Sequence, residues 1–201
     1  MDYENILKNL AKRGFDAYFC QTKAEAAKQS LLLLSDGDVV TWGGTMTLFE
    51  LELDKKLKQG NYTVIDRADF PVDQRSEIYR KAFFADAYFT SANAISQDGE
   101  IVNVDGTANR VAAICYGPEK VIMIIGKNKI ANDLDCAIKR AREVAAPKNA
   151  NRFDILTPCK KTGNCANCLS PDTICSQILI TRFCKPQGRI KVILVDEELG
   201  F

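Results

Sequence analysis

Predicted strands and helices alternate along most of this chain, and this alternation constrains the fold more than any other feature of the sequence. Short runs typical of buried strands lie at residues 16–20, 39–42, 62–65, 87–90, 101–104 and 121–125. Segments with the spacing of amphipathic helices lie at residues 2–13, 22–34, 46–59, 74–84, 106–115 and 132–146. Because a helix between two strands brings them into one sheet in parallel, this order predicts a layered α/β fold with a mainly parallel sheet.

The C-terminal end is expected to be rich in β-structure and to contain a Cys-rich loop. The loop covers about residues 153–176 and shows no clean period. Two β-rich runs follow at residues 178–181 and 190–195, and the absence of a helix between them favours an antiparallel pair. No internal repeat and no long linker interrupts the sequence, so residues 1–201 are predicted to form a single domain.

The charge balance and the histidine content exclude several classes of function. Lys and Arg number 27 against 26 Asp and Glu, so the net charge of +1 gives no support for a nucleic-acid partner. The chain has no histidine, which excludes Ser-His-Asp and Cys-His catalysis and every metal site that contains histidine. Any acid–base chemistry must therefore use Asp, Glu, Lys, Tyr or Cys.

The N-terminus and the apolar runs predict a cytoplasmic protein. The first residues, Met1-Asp2-Tyr3-Glu4-Asn5, contain two acids and neither a basic nor an apolar stretch, so no signal peptide is expected. The most apolar run, residues 121–125, is far shorter than the roughly 18 residues that a membrane helix needs. Membrane insertion is therefore not expected.

A pair of glycines, Gly43 and Gly44, lies between a predicted strand and a predicted helix and is followed by Thr45. Glycines let the backbone approach a ligand closely, and the first N–H groups of a helix attract phosphate or carboxylate. The alternative is a tight turn in which Thr45 caps the helix. The sequence lacks the Gly-Lys-Ser/Thr of a Walker loop and the G-x-G-x-x-G fingerprint, so these residues predict only a general anion site.

A second candidate site lies in the polar stretch that follows the strand at residues 87–90. An Asp98-Gly99 turn returns the chain, so small polar residues come together at the carboxyl ends of strands, where open α/β sheets bind ligands. The alternative is a polar hairpin whose side chains only cap local turns. The candidate ligand-binding residues here are Asn93, Asn103, Asp105, Gly106, Thr107, Asn109 and Arg110.

Two lysines follow the most apolar strand, at Lys127 and Lys129. Either side chain could lie over a bound anion at the carboxyl end of that strand. A solvated strand end is the alternative, and the sequence does not separate the two.

Four cysteines in the Cys-rich loop form the third candidate site: Cys159, Cys165, Cys168 and Cys175. Four thiolates within one loop can surround one metal ion, and an all-cysteine set suits zinc or an iron–sulfur cluster. Zinc or such a cluster is therefore the expected cofactor. A redox-active dithiol of Cys165 and Cys168, or four unliganded thiols, remains open as an alternative.

Several runs of the sequence resemble the LUD (lactate utilisation) domain. The matching runs are residues 85–129, Trp42-Gly43-Gly44-Thr45-Met46-Thr47 and residues 188–195, and the resemblance covers nearly the whole chain. It implies a Rossmann-like three-layer fold of the sugar-isomerase and CoA-transferase type. It also implies a part in lactate oxidation, in which family members act within multi-protein systems.

A more distant likeness to aldose-phosphate isomerases concerns Asn93. Those enzymes place Gly-Ala-Asp after a strand, then an Asn, then Gly-Thr at a helix start. Here Ser91-Ala92-Asn93 stands in the first place, and the catalytic carboxylate of the isomerases falls on Asn93. An amide cannot act as a general acid or base, so the departure argues against that isomerisation.

Two functional hypotheses follow from these observations. The first is a LUD-type protein of organic-acid utilisation that binds a small anionic metabolite, with no residue assigned a catalytic role. The second is a non-catalytic redox or assembly subunit that holds an iron–sulfur cluster or a structural zinc and associates with other redox subunits.

Overall fold

A six-stranded sheet forms the centre of the structure, a computed structural model that describes residues 1–201. The strands of the molecule are β1 (Asp16–Cys20), β2 (Val39–Trp42), β3 (Thr63–Ile65), β4 (Ala87–Thr90), β5 (Ala94–Ser96), β6 (Ile101–Asp105), β7 (Lys120–Gly126), β8 (Ile130–Ala131), β9 (Gln177–Thr181) and β10 (Ile190–Val195). The central sheet has the order β1-β10-β7-β4-β2-β3, and every neighbouring pair in it is parallel. The prediction of a mainly parallel α/β sheet is confirmed.

Helices cover both faces of this sheet. They are α1 (Tyr3–Lys12), α2 (Lys23–Leu32), α3 (Met46–Glu50), α4 (Leu53–Gln59), α5 (Arg75–Lys81), α6 (Asn109–Tyr116), α7 (Leu134–Arg140), α8 (Ala146–Ala150) and α9 (Pro158–Thr162). Successive residues of a strand point to opposite faces, so Ile125 of β7 packs with α1 while Ile124 packs with α3 and α4. The result is the Rossmann-like three-layer fold that the family resemblance implies.

A smaller sheet of order β8-β5-β6-β9 lies beside the main one. Strands β5 and β6 form an antiparallel hairpin, and its turn contains Gly99 at a φ of 91°, a conformation that glycine adopts without strain. The Asp98-Gly99 turn is thus confirmed. Helix α7 packs against this sheet through Ala137, and Ala141, which directly follows the helix, belongs to the same buried cluster.

The predicted antiparallel pairing of the last two strands is wrong. Strand β10 lies between β1 and β7 in the main sheet, whereas β9 pairs with β6 in the small one. Burial explains the separation, because β10 is apolar and buried along nearly its whole length, as an interior parallel strand requires. Strand β9 is largely exposed, which is typical of an edge strand.

Two long predicted helices are interrupted. The segment 46–59 divides into α3 and α4 at Glu52, whose φ of 53° is left-handed and ends the first helix. The segment 132–146 becomes α7, a wide π turn at Ala141–Ala145, and α8. Pro147 lies just after the π turn, and a proline removes a backbone donor and crowds the preceding turn. None of the helices is long and apolar enough to cross a membrane.

Candidate functional site

A cleft of about 370 Å³ lies at the carboxyl ends of β2, β4 and β7. Residues that directly follow these strands line it, as do residues from the turn before α6 and from the end of α8. Ligands of open α/β sheets bind at this edge of the sheet. We call this cavity the carboxyl-end cleft.

Most of the predicted ligand-binding residues line the carboxyl-end cleft. The lining residues among them are Gly44, Thr45, Asn93, Asp105, Gly106, Thr107, Asn109 and Arg110. Gly43 and Asn103 do not line it. Asn103 is fully buried behind the cleft, where its Nδ2 donates a hydrogen bond to the carbonyl oxygen of Ser91 at 3.0 Å.

The cleft carries a large excess of positive charge. Its cationic residues are Arg67, Arg75, Arg110, Lys129 and Arg152, and Asp105 is its one carboxylate side chain. Among the cations only Arg110 lies within 4.0 Å of a carboxylate, with Nε 3.7 Å from Asp105. Since the whole chain has a net charge of only +1, this concentration is a local property of the cleft.

Arg110 is held rigidly in the cleft wall. Its guanidinium donates hydrogen bonds to the carbonyl oxygens of Ser91 (3.0 Å) and Val104 (2.6 Å). Its Nη2 also donates to Oδ1 of Asn93 at 2.7 Å. Burial lowers the pKa of Arg110, but arginine stays charged at any physiological pH, so the cleft contains a fixed cation.

The two glycines after β2 make room for arginines. A Cβ at Gly43 would lie 2.7 Å from the Tyr88 hydroxyl and 3.2 Å from Cδ of Arg110. A Cβ at Gly44 would lie 2.5 Å from Nη2 of Arg67. The glycine pair therefore shapes the cleft by admitting two guanidinium side chains.

The N-terminus of α6 is already satisfied by a side chain of the protein. The carboxylate of Asp105 accepts hydrogen bonds from the backbone N–H groups of Arg110 (3.2 Å) and Val111 (3.3 Å). Helix α3, after the glycine pair, is only five residues long. An anion in the cleft would therefore meet cationic side chains rather than free helix termini.

Lys127 and Lys129 have different surroundings. Lys127 is exposed and pairs with Asp196 at 3.3 Å, as expected of a solvated strand end. Lys129 is only 3% exposed, lines the cleft, and donates hydrogen bonds to Ser91 Oγ (2.9 Å) and Thr47 Oγ1 (3.3 Å). Burial, reinforced by the charges of Arg140 and Arg110, lowers the pKa of Lys129 from 10.5 to about 7.

Three further arginines complete the cleft, and motif analysis of the sequence missed them. Arg67 follows β3 and lies 5.9 Å from the ring centroid of Tyr79, and Arg152 lies 6.0 Å from that of Phe201. Burial and the charge of Arg67 lower the pKa of Arg152, and Nε of Arg75 is buried without a hydrogen-bond partner. Only Arg67 leaves a sequence signal, because it lies two residues beyond a predicted strand.

The four cysteines of the Cys-rich loop do not form a metal-binding group as the structure places them. All four are half-buried, and the molecule contains no cluster of three or more Cys, Asp or Glu side chains that could hold a metal ion. Two of the thiols contact threonine hydroxyls instead, Cys159 with Thr157 (3.3 Å) and Cys175 with Thr173 (3.2 Å). The zinc or iron–sulfur site therefore stays a prediction.

A larger depression, of about 650 Å³, lies at the opposite edge of the sheet, beside the amino ends of β1, β7 and β10. Two of its lysines already have carboxylate partners. Lys191 pairs with Asp16 at 2.5 Å, and Lys120 pairs with Asp38 at 2.7 Å. Its charges are thus largely satisfied within the protein, so we place the candidate site in the carboxyl-end cleft despite its smaller volume.

The open parallel sheet and the helices on both of its faces define an α/β protein with a Rossmann-like fold, and a cationic cleft lies at the carboxyl edge of the sheet. The family model of the LUD domain matches residues 3–195, and the chain belongs to the LUD domain family.

The fold is also similar to that of a solved DUF162 family protein from Deinococcus radiodurans. The two chains are 14% identical, with a TM-score of 0.58 over 96% of this chain and 95% of that one. A weaker likeness, at 16% identity and a TM-score of 0.42, covers 68% of this chain and 45% of eIF2B beta from Chaetomium thermophilum. No curated protein sequence matched the chain.

Proposed function

We propose that the protein binds a small organic anion in the carboxyl-end cleft and serves organic-acid utilisation. The observation that carries the proposal is the set of four arginines around Asp105, of which Arg67, Arg75 and Arg152 have no ion-pair partner. Unpaired charges at the wall of a cleft gain most from a ligand that brings the opposite charge. The association of the LUD family with lactate utilisation agrees with a carboxylate ligand.

The dimensions and chemistry of the cleft favour a small ligand. A volume of about 370 Å³ lies near the lower end of the range for small-molecule sites. Guanidinium groups match carboxylate and phosphate oxygens in pairs, and Tyr79 and Phe201 hold two of them against aromatic rings. A hydroxy acid, an oxo acid or a sugar phosphate would satisfy these groups.

The residue at position 93 supports binding rather than isomerisation by a carboxylate. The amide of Asn93 cannot act as a general acid or base, and its oxygen already accepts hydrogen bonds from Arg110 and from the N–H of Val104 at 2.9 Å. Asp105, the one acid in the cleft, is bound to the start of α6. The proposal therefore assigns both residues to the support of the cleft.

Isothermal titration calorimetry tests the proposal with lactate, pyruvate, ribose 5-phosphate and acetyl-CoA. We expect at least one of them to bind, with an affinity that falls as salt concentration rises. Arg152→Ala should weaken that binding by about tenfold, which corresponds to about 1.4 kcal/mol. The matched control is Lys185→Ala, which removes one cation from the depression at the opposite edge. Absence of binding by all four, or equal loss in both variants, would overturn the proposal.

A further inference from the structure

Lys129 occupies a position that is rare for a lysine. Its side chain is 3% exposed and follows β7, whereas lysine is almost never fully buried unless it is paired. The residue before it, Asn128, fixes the chain there: its Nδ2 donates to the carbonyl oxygen of Gly200 at 3.2 Å, and its Oδ1 accepts from the N–H of Leu199 at 3.1 Å. The amine is thus held at the wall of the cleft rather than free to move into solvent.

The surroundings of this amine disfavour a positive charge. No carboxylate lies within 4.0 Å of Nζ, and its hydrogen-bond partners are two neutral hydroxyls. The charged groups that act on it are Arg110 of α6, Arg140 of α7 and Glu50 of α3. The two arginines and the loss of water outweigh Glu50, and a pKa near 7 agrees with an amine that is neutral in a large share of molecules at neutral pH.

We infer that Lys129 is a nucleophile that forms an imine with a small carbonyl compound carrying a carboxylate or phosphate group. The inference rests on the proposed function, because the arginines of the cleft would hold the anionic group while the amine meets the carbonyl carbon. A neutral, desolvated lysine in such a place is what imine chemistry requires. Oxo acids and phosphorylated aldehydes share this chemistry, so the class is defined by the carbonyl and the adjacent anion.

The reaction balances without an oxidant or reductant. The lone pair of Nζ attacks the carbonyl carbon, and the electron pair of the C=O double bond moves to oxygen, which takes up a proton. Nitrogen then forms the C=N bond, and the former carbonyl oxygen leaves as water with the two protons that the amine has lost. The Ser91 hydroxyl, 2.9 Å from Nζ, is placed to pass one of these protons.

Reductive trapping followed by peptide mass spectrometry tests the inference on the full chain. The protein is incubated with pyruvate or with glyceraldehyde 3-phosphate in the presence of sodium cyanoborohydride, which converts an imine into a stable secondary amine. We expect Lys129 to carry the adduct of at least one compound in preference to Lys127, the exposed internal control two residues away. Acetone, which has no anionic group, should label Lys129 no more than Lys127.

The variant Lys129→Met fills a similar volume but has no amine and cannot form an imine, so it should abolish the specific adduct. The location of the adduct in the unaltered protein decides the matter even if this variant folds poorly. Equal labelling of Lys127 and Lys129, or no labelling of Lys129, would overturn the inference.

The outcome also separates this inference from the proposed function. Calorimetric binding of pyruvate or another anion without an adduct at Lys129 would contradict the imine and leave the anion cleft standing. If the unaltered protein showed neither calorimetric binding nor an adduct at Lys129, both the proposed function and the imine would be contradicted. If pyruvate labels Lys129, and Arg152→Ala lowers the yield of this adduct at low pyruvate concentration, both the imine and the anion cleft would be supported.

Discussion

The side-chain oxygen of Asn93 accepts a hydrogen bond from Nη2 of Arg110 at 2.7 Å and so orients the guanidinium without neutralising its charge. A carboxylate in the same place would form an ion pair with Arg110. The amide therefore adds no second carboxylate beside Arg110, whose Nε already lies 3.7 Å from Asp105, so the charge of the guanidinium is only partly balanced within the protein.

Asn93→Asp should weaken the binding of an anionic ligand by about tenfold or more, because the new carboxylate pairs with Arg110 and repels the ligand. The variant should fold, since both groups that donate to Asn93 can donate to a carboxylate. Titration calorimetry measures the change. The control is Asn5→Asp, which adds the same charge at an exposed position of helix α1. Unchanged affinity in Asn93→Asp would show that Arg110 does not bind the ligand.

The two glycines should respond differently to alanine. Gly43→Ala forces a Cβ against the hydroxyl group of the buried Tyr88 and the aliphatic part of Arg110, so we expect a loss of about 1–3 kcal/mol in the free energy of unfolding. Gly44→Ala displaces only the flexible end of Arg67, so stability should change by less than about 1 kcal/mol while anion affinity falls. Urea unfolding and calorimetry on both variants measure the contrast. A larger stability loss in Gly44→Ala would contradict this assignment.

Lys129 should make the stability of the protein depend on pH. Between about pH 7 and pH 10.5 the unfolded chain holds a proton on this amine that the folded chain has lost, so the free energy of unfolding rises with pH. Relative to Lys129→Met, the free energy of unfolding of the unaltered protein should rise by about 1.4 kcal/mol per pH unit across this window, with no relative change below about pH 7. Urea unfolding at several pH values measures the difference. Parallel pH curves for the two proteins would show that Lys129 keeps an ordinary pKa.

Because the Cys-rich loop contains four cysteines, enough for one site, we expect about one zinc ion or one iron–sulfur cluster per chain. Since the structure does not bring the four thiols together, loading of a metal would require the loop to rearrange. Metal analysis and a visible spectrum after anaerobic purification test the prediction, with Cys165→Ser and Cys168→Ser as the variants that should lose the metal. A metal-free protein whose four loop thiols all react with a thiol reagent would contradict it.

The sequence predicts the main sheet well because each strand is a local pattern. The boundaries of β1, β2 and β4 agree with the apolar runs at residues 16–20, 39–42 and 87–90. The break between α3 and α4 at Glu52 could not be predicted in this way. The left-handed conformation of Glu52 leaves the spacing of the apolar residues unchanged, so the sequence pattern is that of one continuous helix. The pairing of β9 with β6 is likewise determined by long-range packing and not by the local sequence of β9.

Some residues of the cleft can be predicted from the local sequence, whereas others reach the cleft only through the long-range packing of the fold. Polar residues that follow strands, such as Asn93 and Arg110, can be found from the sequence because the carboxyl edge of a parallel sheet gathers them. Arg75 and Arg152 come from segments with no motif, and only the fold brings them to the cleft. The positive charge of the cleft could therefore not be predicted from the net charge of the chain, which is only +1.

The most direct test of the anion cleft is a crystal structure of the protein with the tightest ligand from the titration panel. We expect the anionic group to lie within about 3.2 Å of nitrogen atoms of Arg110, Lys129 or Arg152. An ordered ligand only in the depression beside Lys185, or no ligand in the carboxyl-end cleft at saturating concentration, would contradict the assignment of the site.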